Sequence, residues 1–487
     1  MIDRSSPIPL YYQLKMLIKR KIEKGLYAPG DRIPTERALC EKYEISRAPV
    51  RQALMELVQE GYIRRQSGRG TFVQTRVLEP QDRQITLRLL AYDVRWVTLM
   101  ESAVQQWNDV HPHRILRLDV EMPSQEEFHQ QLCASMGGVG APDIVSLDYV
   151  WVTRYARLGF LASLDELDAD FADWLRAELE PPVLRNHMLD GELYGVPVQA
   201  DVTGLWYRRD WFAAEGLEPP ETWDDWLAQL DYFAQDEVKA RLGHQTPVSF
   251  PISTTTGEAT LNLLFPFIWT AGGRLIDDEG RPALDDPAVV RVLEFLQEIV
   301  LARDYLPENA EAFHWWDSTR LLATGQVPMT LGGSYEWPTL AEEAVWSREG
   351  MMEHFGFVPS PRPAQAEPSV LSLGGTTWAV MRESQHYELS LEILRMTMEL
   401  DMVVPFCQRE LQISSLKSAN QQLLDVGNPW MRAVVPLLAL ARPRPKLEDY
   451  VQVSRILQQM FEKALVDGLP ADRAVRQTAR TLKLLLG

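Results

Sequence analysis

Cysteine is scarce in this sequence, which contains Cys40, Cys133 and Cys407 among 487 residues. Three cysteines so far apart favour buried, reduced thiols over a disulfide framework, and none has the spacing of a metal ligand. Long apolar runs are also missing. Residues 1–25 carry charges throughout, unlike a signal peptide, and no later run approaches the roughly 18 apolar residues that span a bilayer. We therefore expect a soluble, cytoplasmic protein with no membrane partner, no metal and no cofactor.

Recognisable catalytic motifs are missing as well. The sequence has no GxSxG nucleophile elbow, no HExxH zinc motif and no phosphate-binding loop. Carboxylates are abundant, so chance pairs are expected, and a hidden glycosidase is the catalytic alternative. We predict that the chain is not an enzyme.

Positive charge is scarce outside the N-terminal segment. Residues 1–74 hold 14 Lys and Arg against 8 Asp and Glu, a net charge of +6, which leaves 35 against 60 for the remaining residues, a net charge of −25. A chain of this length is sufficient for two or three domains. The small basic part meets the electrostatic requirement for nucleic acid, while the acidity of the large part is typical of a soluble domain.

The stretch from Pro34 to Gln74, PTERALCEKYEISRAPVRQALMELVQEGYIRRQSGRGTFVQ, predicts two short helices, a tight turn and a two-stranded hairpin. Thr35 and Ser46 each stand where a hydroxyl can cap a helix, and Pro49 is tolerated because it falls within the first turn. The apolar face of the second helix consists of Val50, Leu54, Leu57 and Val58. Its opposite face presents Arg47, Arg51 and Gln52, and a helix of this size with outward arginines fits the major groove of DNA.

The hairpin is predicted from two alternating runs, Tyr62–Gln66 and Thr71–Thr75, joined by Ser67-Gly68-Arg69-Gly70. Two glycines let the turn adopt positive φ, with Arg69 at its tip. A further helix is predicted upstream, from about Leu10 to Lys24. One face of this helix is apolar and its lysines, Lys15, Lys19 and Lys21, lie elsewhere around it.

Together with IPLYYQLKMLIKRKIEKGLYAPGDRIP upstream, this stretch resembles the winged helix-turn-helix domain of GntR-type bacterial regulators in the HutC-like form. The resemblance covers roughly residues 8–75 and includes the TER, SRAPVRQAL, EGYI and GRGTFV signatures, with Thr35 replacing the more usual serine. It implies binding to operator DNA, and because one winged helix reads only a few base pairs, it implies a homodimer on two half-sites. We expect at least one of Arg47 and Arg51 to make a bidentate contact with guanine, and Arg37 and Arg69 mainly to hold phosphate or minor groove. The predicted DNA contacts are Thr35, Arg37, Ser46, Arg47, Pro49, Arg51, Gln52, Arg69 and Gly70.

Beyond this domain, residues 76–84 are predicted to be a linker, since Arg76 to Arg83 is polar, contains a proline and has no periodicity. From Ile85 the pattern changes to strand, amphipathic helix and strand, which is typical of a mostly parallel α/β sheet. A further apolar strand, PDIVSLD, ends at Asp148. Open α/β sheets bind ligands at the carboxyl ends of their strands, which is where Asp148 would lie.

Residues 85–487 closely resemble the family-1 extracellular solute-binding proteins, which carry sugars and oligosaccharides to bacterial ABC importers. The resemblance rests first on DGELYGVPVQADVTGLWYRRDWFAAEGLEPPETWDDWL from Asp190, and then on four later segments in family order, which begin at Thr270, Leu321, Leu371 and Arg444. It implies two α/β lobes with a ligand in the cleft between them. We expect the chain to cross between the lobes near Val196–Ala200 and Gly374–Trp378.

Ligand contacts are assigned by motif position. Asp201 matches a carboxylate that contacts sugar hydroxyls in maltodextrin-binding relatives, and Tyr335, in GGSYEW, matches an aromatic side chain that stacks on the sugar ring there. Position near strand ends adds weaker candidates, which are Asp148, Trp151, Asp93, Trp96, Glu258, Trp269, Trp337 and Trp378. Core packing is the alternative role for any one of these aromatics. We interpret Trp206, Tyr207 and Trp211 as lobe core, and Trp315-Trp316 as packing at a helix start.

The predicted fold class is α/β, with an N-terminal winged helix-turn-helix domain (1–75), a linker (76–84) and a two-lobed periplasmic-binding-protein-like domain (85–487). The predicted function is a transcriptional regulator that binds operator DNA and senses a sugar or oligosaccharide. The alternative is the sugar-binding component of an ABC importer. The sequence leaves open which ligand binds, which operator is read and the sign of regulation.

Overall fold

The computed structural model describes residues 10–23, 26–59, 61–66, 69–74, 84–111, 114–123, 125–135, 141–277, 280–284, 286–344, 346, 350–366 and 368–486. These residues fall into two compact units, one within Met1–Ile85 with His111–Ile115 and the other within Thr86–Val110 with Leu116–Gly487. The linker predicted from Arg76 to Arg83 lies outside the described residues, and Gln84 begins a strand.

The first unit has the predicted three helices and hairpin: α1 (Leu10–Glu23), α2 (Glu36–Tyr43), α3 (Arg47–Gln59), β1 (Ile63–Gln66) and β2 (Gly70–Val73). Thr35 caps α2 as expected, because its Oγ1 accepts a hydrogen bond from Ala38 N at 3.2 Å. The strands pair antiparallel, with Ile63 opposite Val73. Pro49 lies in the first turn of α3, where its missing N–H costs no helical hydrogen bond.

The core of this unit differs from the prediction at two positions. Val58 is 36% exposed, and Ala53, which is fully buried, takes its place beside Val50 and Leu54. Lys15 was predicted off the apolar face of α1, yet it is buried and its Nζ lies 2.9 Å from Glu56 Oε2. A buried ammonium needs such a partner, since its charge is otherwise removed from water without compensation.

The second unit is an α/β structure of two sheets surrounded by helices. Its strands are β3 (Gln84–Leu90), β4 (Ile115–Glu121), β5 (Ile144–Asp148), β6 (Met188–Leu189), β7 (Glu192–Leu193), β8 (Val196–Pro197), β9 (Gln199–Arg208), β10 (Val248–Ser249), β11 (Met329–Gly333), β12 (Phe355–Val358), β13 (Leu371–Gly374), β14 (Thr376–Val380), β15 (Ile413–Ser414) and β16 (Ala441–Pro443). Its helices are α4 (Val94–Val110), α5 (Gln125–Ala134), α6 (Tyr149–Arg157), α7 (Leu164–Leu167), α8 (Ala169–Glu178), α9 (Pro181–His187), α10 (Arg209–Glu215), α11 (Trp223–Phe233), α12 (Asp236–Leu242), α13 (Glu258–Thr270), α14 (Pro287–Gln297), α15 (Asp317–Ala323), α16 (Trp337–Glu343), α17 (Met351–His354), α18 (Tyr387–Thr397), α19 (Leu400–Glu410), α20 (Lys417–Asp425), α21 (Pro429–Val434), α22 (Tyr450–Leu465) and α23 (Ala471–Leu486).

The two sheets define two lobes. The sheet of the first lobe has the strand order β4-β3-β5-β14-β8, and that of the second lobe has the order β10-β11-β9-β13-β16, with β12 and β15 also pairing to β9. The expectation of mostly parallel sheets is wrong. β3 and β5 are parallel, but β14 runs antiparallel to β5 and β8, and β9 pairs antiparallel with β11, β12, β13 and β15. Both sheets are mixed, since β10 pairs parallel with β11 and β13 with β16, while the ten-residue strand β9 has antiparallel neighbours.

Both predicted lobe crossings are confirmed. The chain passes from β8 of the first lobe to β9 of the second through Val198, and from β13 back to β14 through Gly375. Gly375 has φ of 149°, and a Cβ at that position would clash with the Gln199 carbonyl oxygen of the neighbouring crossing. A third crossing leads from α18 and α19, which pack on α4, to β15, which pairs with β9.

The remaining packing predictions have mixed outcomes. Trp206 and Tyr207 are buried core residues as predicted, whereas Trp211 is half-buried, with the Arg208 guanidinium carbon 4.1 Å from its ring centroid. Cys407 is buried and Cys40 partly so, but Cys133 is exposed, so the prediction of buried thiols is wrong there. Among the described residues, no helix combines the length and apolar character needed to cross a membrane.

Candidate functional site

The outward face of α3 is polar and basic. Ser46, Arg47, Arg51 and Gln52 are exposed, and Pro49 is half-buried beside them. The buried residues Val50, Leu54 and Leu57 fix the helix against α1 and α2, so the orientation of the exposed face is set by the core. The structure therefore places the predicted DNA-contacting residues of α3 together on one accessible surface.

Carboxylates of the same unit hold several of these side chains. Glu36, which the sequence reasoning missed, lies 3.8 Å from Arg51 Nε and 3.0 Å from Arg65 Nη2. Arg37 pairs with Glu41 at 2.8 Å, and Gln52 donates to Glu56 at 3.3 Å. Exposed pairs of this kind contribute about 0–1 kcal/mol, so an incoming phosphate or base edge can replace the carboxylate.

The end of the hairpin depends on a glycine. Gly70 has φ of 123°, and a Cβ there would lie 2.6 Å from Arg32 Nε. Any other residue would be strained and would displace the Arg32 side chain. Arg69, the predicted tip residue, is exposed. The two other residues of the predicted turn, Ser67 and Gly68, lie outside the described part of the chain.

Asp201 lies on β9 of the second lobe, three residues after the crossing at Val198. Asp201 is 5% exposed, and its Oδ1 has no hydrogen-bond partner within the described residues. Gly374, opposite Asp201 in register, leaves room for this carboxyl, because a Cβ at that position would clash with it. Burial, with a smaller contribution from Asp148, raises the pKa of Asp201 from 3.8 to about 8. A buried carboxyl oxygen without a hydrogen-bond partner is costly to the fold, so Asp201 remains a candidate for ligand binding.

Tyr335 lies beyond the end of β11, in the 3₁₀ turn Ser334–Glu336. Its hydroxyl is buried near Asn262 but has no hydrogen-bond partner of normal geometry in the described part of the structure. Its ring centroid is 5.7 Å from that of Trp315. Burial is the main cause that raises the pKa of Tyr335. Val202 N donates to Ser334 Oγ at 3.2 Å, so the chain segments that carry Asp201 and Tyr335 are neighbours.

Arg444 connects the two lobes. Its Nη2 donates to Asp148 at 3.1 and 3.2 Å, and its Nη1 donates to Glu258 Oε2 at 2.8 Å. Asp148 ends β5 of the first lobe, whereas Glu258 begins α13 of the second. Glu258 also accepts hydrogen bonds from Tyr450, at 3.0 Å, and from Ser454. The structure thus places the candidates Asp148 and Glu258 in one buried ion network that spans the cleft.

Arg95 makes a second connection between the lobes. It extends from α4 of the first lobe, donating from Nη1 to the Tyr335 carbonyl at 3.0 Å and from Nη2 to Thr339 Oγ1 at 2.8 Å. The candidate Asp93 accepts a hydrogen bond from Arg95 N at 3.0 Å, and burial raises the pKa of Asp93. The charges of Asp148 and Asp93 both act to raise the pKa of Asp201.

Three predicted ligand contacts are instead packing residues. Trp96, Trp337 and Trp378 are at most 1% exposed. Trp96 packs on Phe406 at 4.8 Å between ring centroids, and Trp337 packs on Trp430 at 4.6 Å. Their assignment to the ligand is corrected here, because an enclosed ring has no free face for a sugar.

Trp151 and Trp269 are also largely enclosed by protein. Trp151 is 2% exposed, and its ring centroid lies 5.3 Å from that of Tyr92 and 4.6 Å from that of His129. Trp269 is 8% exposed, with the Arg442 guanidinium carbon 5.2 Å from its ring centroid. In this conformation both rings contact side chains of their own chain.

The sequence reasoning did not assign a site role to several side chains that contact residues of the interlobe region. Tyr92 shares a hydrogen bond of 3.2 Å with Thr376, and Trp316, which is 45% exposed, lies 6.0 Å from the Arg95 guanidinium. Their positions in the sequence were the indication available: Arg444 is the first residue of the last family-like segment, and Trp315-Trp316 precedes α15.

Two surface depressions lie elsewhere, one along β3 and β4 and one between α4 and α19, and neither contains Asp201 or Tyr335.

Comparison with known proteins matches each of the two units to a protein family. Residues 10–73 match the family described as bacterial regulatory proteins, gntR family, and residues 98–395 match the bacterial extracellular solute-binding proteins. Both descriptions concern regulatory or binding proteins rather than enzymes.

Individual relatives cover different parts of the chain. An uncharacterized HTH-type transcriptional regulator of Bacillus subtilis (strain 168), YurK, is 51% identical over 75 residues, which is 15% of this chain and 31% of that protein. The arabinooligosaccharide-binding protein of Halalkalibacterium halodurans is 25% identical over 314 residues, which is 61% of this chain and 64% of that protein. The chain therefore spans about a third of the first relative and less than two thirds of the second.

Among solved structures, the maltose-bound MalE3 of T. maritima superposes with a TM-score of 0.70 at 21% identity, covering 82% of this chain and 99% of that one. This likeness shows the two-lobed fold. The chain belongs to the bacterial extracellular solute-binding protein family and carries, at its N-terminus, a DNA-binding domain of the gntR family of bacterial regulators.

Proposed function

We propose that this protein is a ligand-responsive transcriptional regulator that binds operator DNA through residues 1–75 and a sugar or oligosaccharide through residues 85–487. Residues 76–84 would connect the two parts. The observation that carries the sensor part of this proposal is the buried carboxyl of Asp201, one oxygen of which has no hydrogen-bond partner among the described residues. The hydrogen bond from Val202 N to Ser334 Oγ brings the segment of Asp201 next to that of Tyr335, whose hydroxyl is also buried without a partner of normal geometry. Such groups are satisfied when a polyhydroxylated ligand donates to the carboxyl and accepts from the hydroxyl.

The class of ligand is supported by chemistry and by similarity. The pair Tyr335 and Trp315 offers an aromatic platform for the C–H face of a pyranose, while Asp201 offers a polar anchor beside it. The names of the compared proteins refer to arabinooligosaccharide and to maltose. The proposed ligand site also includes Asp93, Asp148 and Glu258. Arg444 connects Asp148 and Glu258 by donating a hydrogen bond to each.

DNA recognition is proposed to use the exposed face of α3, where Arg47 and Arg51 would read bases in the major groove. Arg37 and Arg69 would contact phosphate or the minor groove. The remaining proposed contacts are Thr35, Ser46, Pro49, Gln52 and Gly70. A homodimer would present two such surfaces to a palindromic operator, and the protein would act in the cytoplasm.

Selection of bound duplexes from fragmented genomic DNA, followed by band shifts with and without a panel of neutral oligosaccharides, tests this function. We expect one family of palindromic duplexes to be selected and at least one sugar to change its affinity for the protein. Recovery of the protein from the periplasm or medium, together with failure to select any duplex, would favour the importer alternative. A monomer bound one per operator in sedimentation would contradict the proposed homodimer.

A further inference from the structure

One carboxylate connects three elements of the first unit. Glu36 is the first residue of α2, and its Oε1 lies 3.0 Å from Nη2 of Arg65 on β1. Its other oxygen, Oε2, lies 3.8 Å from Nε of Arg51 on α3. Arg65 and Glu36 are 29 positions apart, so the fold and not a local helical spacing brings them together. The pair Arg37 and Glu41, in contrast, is an ordinary i,i+4 pair within one helix.

The three side chains differ in how accessible they are. The exposed fraction of the side chain rises from 31% for Glu36 through 45% for Arg65 to 69% for Arg51. Arg51 is therefore the member of the cluster most accessible to a partner, and Glu36 is the most enclosed. Arg65 makes the shorter contact and holds the Glu36 carboxylate by a hydrogen bond, which leaves the second carboxylate oxygen directed to Arg51.

The Arg51 guanidinium retains the donors that a guanine requires. Among the residues that the structure describes, Arg51 donates no hydrogen bond, and it faces Glu36 through Nε. A guanine presents O6 and N7 in the major groove, and an arginine binds both with two N–H groups. Because Nη1 and Nη2 can make this contact while Nε stays beside the carboxylate, guanine need not displace Glu36. The carboxylate would also restrict a long side chain that otherwise loses conformational freedom on binding.

We propose that Glu36 is a positioning residue for operator recognition: it holds Arg51 at Nε so that Nη1 and Nη2 meet O6 and N7 of one guanine. Arg65 fixes Glu36 in turn, and Glu36 itself does not contact the duplex. This inference rests on the proposed function, because it specifies how the DNA-binding surface obtains its sequence preference.

A double-mutant cycle tests this role. Fluorescence anisotropy on the full-length protein measures the preference for the duplex selected from genomic DNA over a scrambled duplex, for the wild type, Glu36→Gln, Arg51→Ala and the double variant. We expect Glu36→Gln to lower the preference about threefold or more, and to have no effect on it in the Arg51→Ala background. Affinity for the scrambled duplex should not fall, because the change removes a negative charge that repels phosphate.

Glu41→Gln is the matched control, because Glu41 is a carboxylate of the same helix whose partner, Arg37, is expected to hold phosphate. It should keep the wild-type preference. Arg65→Gln removes the residue that fixes Glu36 and should lower the preference in the same direction. Circular dichroism shows whether each variant is folded, and if Glu36→Gln does not fold, the same cycle with Arg65→Gln decides.

An unchanged preference in Glu36→Gln would overturn the inference. So would an equal loss with and without Arg51, since Glu36 would then act on the duplex by itself. Full preference in Arg51→Ala would also overturn it, while the proposed function would stand. Failure of the wild type to select any duplex would count against the proposed function as well.

Discussion

Arg444 Nη1 lies 2.8 Å from Glu258 Oε2, while Nη2 of the same guanidinium lies 3.1 Å from Asp148 Oδ1. One side chain thus links the first turn of α13 in the second lobe to the end of β5 in the first. All three groups are largely removed from water. Their charges are tolerable in the interior only as a set, because each one compensates the others.

Replacing Arg444 by Met should therefore destabilise the protein strongly. The change leaves Asp148 and Glu258 buried without their cation, for which a loss of about 3–5 kcal/mol is expected. Denaturant unfolding followed by tryptophan fluorescence measures this loss. Arg455→Met, at an exposed position of α22, is the matched control and should change stability by about 0.5 kcal/mol or less. Equal midpoints for the two variants would show that the interlobe network does not stabilise the fold.

Asp201 should make the stability of the protein fall as pH rises from about 4 to 8, and the net fall should appear above about pH 6.5. Below that pH the side chains of His129 and His187, whose pKa burial lowers to about 4, act in the opposite direction. Burial raises the pKa of Asp201 to about 8, so the folded state retains a proton over this interval that the unfolded chain, with a pKa near 3.8, releases. Because the folded state binds more protons, its stability decreases with pH, by at most about 1.4 kcal/mol per pH unit for one such group. Melting temperatures between pH 4.5 and 8 measure the slope.

Asp201→Asn should reduce this slope and should stabilise the protein most at the upper end of the range. A part of the slope should remain, because burial also raises the pKa of Glu336 to about 8. The exposed-site variant Asp119→Asn should follow the wild type. Parallel curves for wild type and Asp201→Asn would mean that this carboxyl is ionised in the folded protein.

Arg51→Ala should weaken the preference of the protein for its operator over a scrambled duplex. Arg51 is exposed on α3, and its Nε lies 3.8 Å from Glu36 Oε2, a weak contact. Its side chain can therefore turn to a guanine edge, a contact that discriminates by about 1–3 kcal/mol. Fluorescence anisotropy with both duplexes measures the preference. Arg37→Ala is the control, because loss of a phosphate contact should weaken binding to both duplexes by the same factor. An unaltered preference in Arg51→Ala would assign base reading to another residue.

The variants Tyr335→Phe and Tyr335→Ala distinguish the contribution of the hydroxyl to sugar affinity from that of the ring. Phe keeps the stacking surface but removes the hydroxyl, which has no partner of normal geometry among the described residues, so sugar affinity should fall by about 0.5–1.5 kcal/mol with little loss of stability. Ala removes the platform as well and should reduce affinity further. Calorimetry with the sugar that gives the largest thermal shift compares the variants. Wild-type affinity in both would place the sugar away from Tyr335.

The sequence predicted the local elements well where periodicity determines them. Val50, Leu54 and Leu57 lie within about 40° of one line along a helix of 3.6 residues per turn, so their burial was predictable. Val58 lies about 80° from that line, at the edge of the face, while Ala53 lies about 60° to the other side. Helical periodicity alone therefore does not predict whether Val58 or Ala53 is buried. The packing of α1 against α3 determines which of the two is buried.

The interlobe contacts could not be predicted in the same way. Arg444 and Asp148 are 296 positions apart, and Arg95 and Tyr335 are 240 apart, so no local pattern joins them. The abundance of tryptophan suggested more ligand contacts than the structure offers, and the reason is physical. Large aromatic side chains bury the most apolar surface, and Trp96, Trp337 and Trp378 stabilise the lobes in that way.

The coupling between sugar and DNA is the central claim, and titrating the sugar with and without saturating operator tests it most directly. By thermodynamic linkage, operator DNA must change sugar affinity by the same factor by which sugar changes operator affinity, typically about 5–150-fold. We predict two different sugar dissociation constants whose ratio equals that factor. Identical dissociation constants with and without operator would show that the cleft does not control the DNA-binding domain.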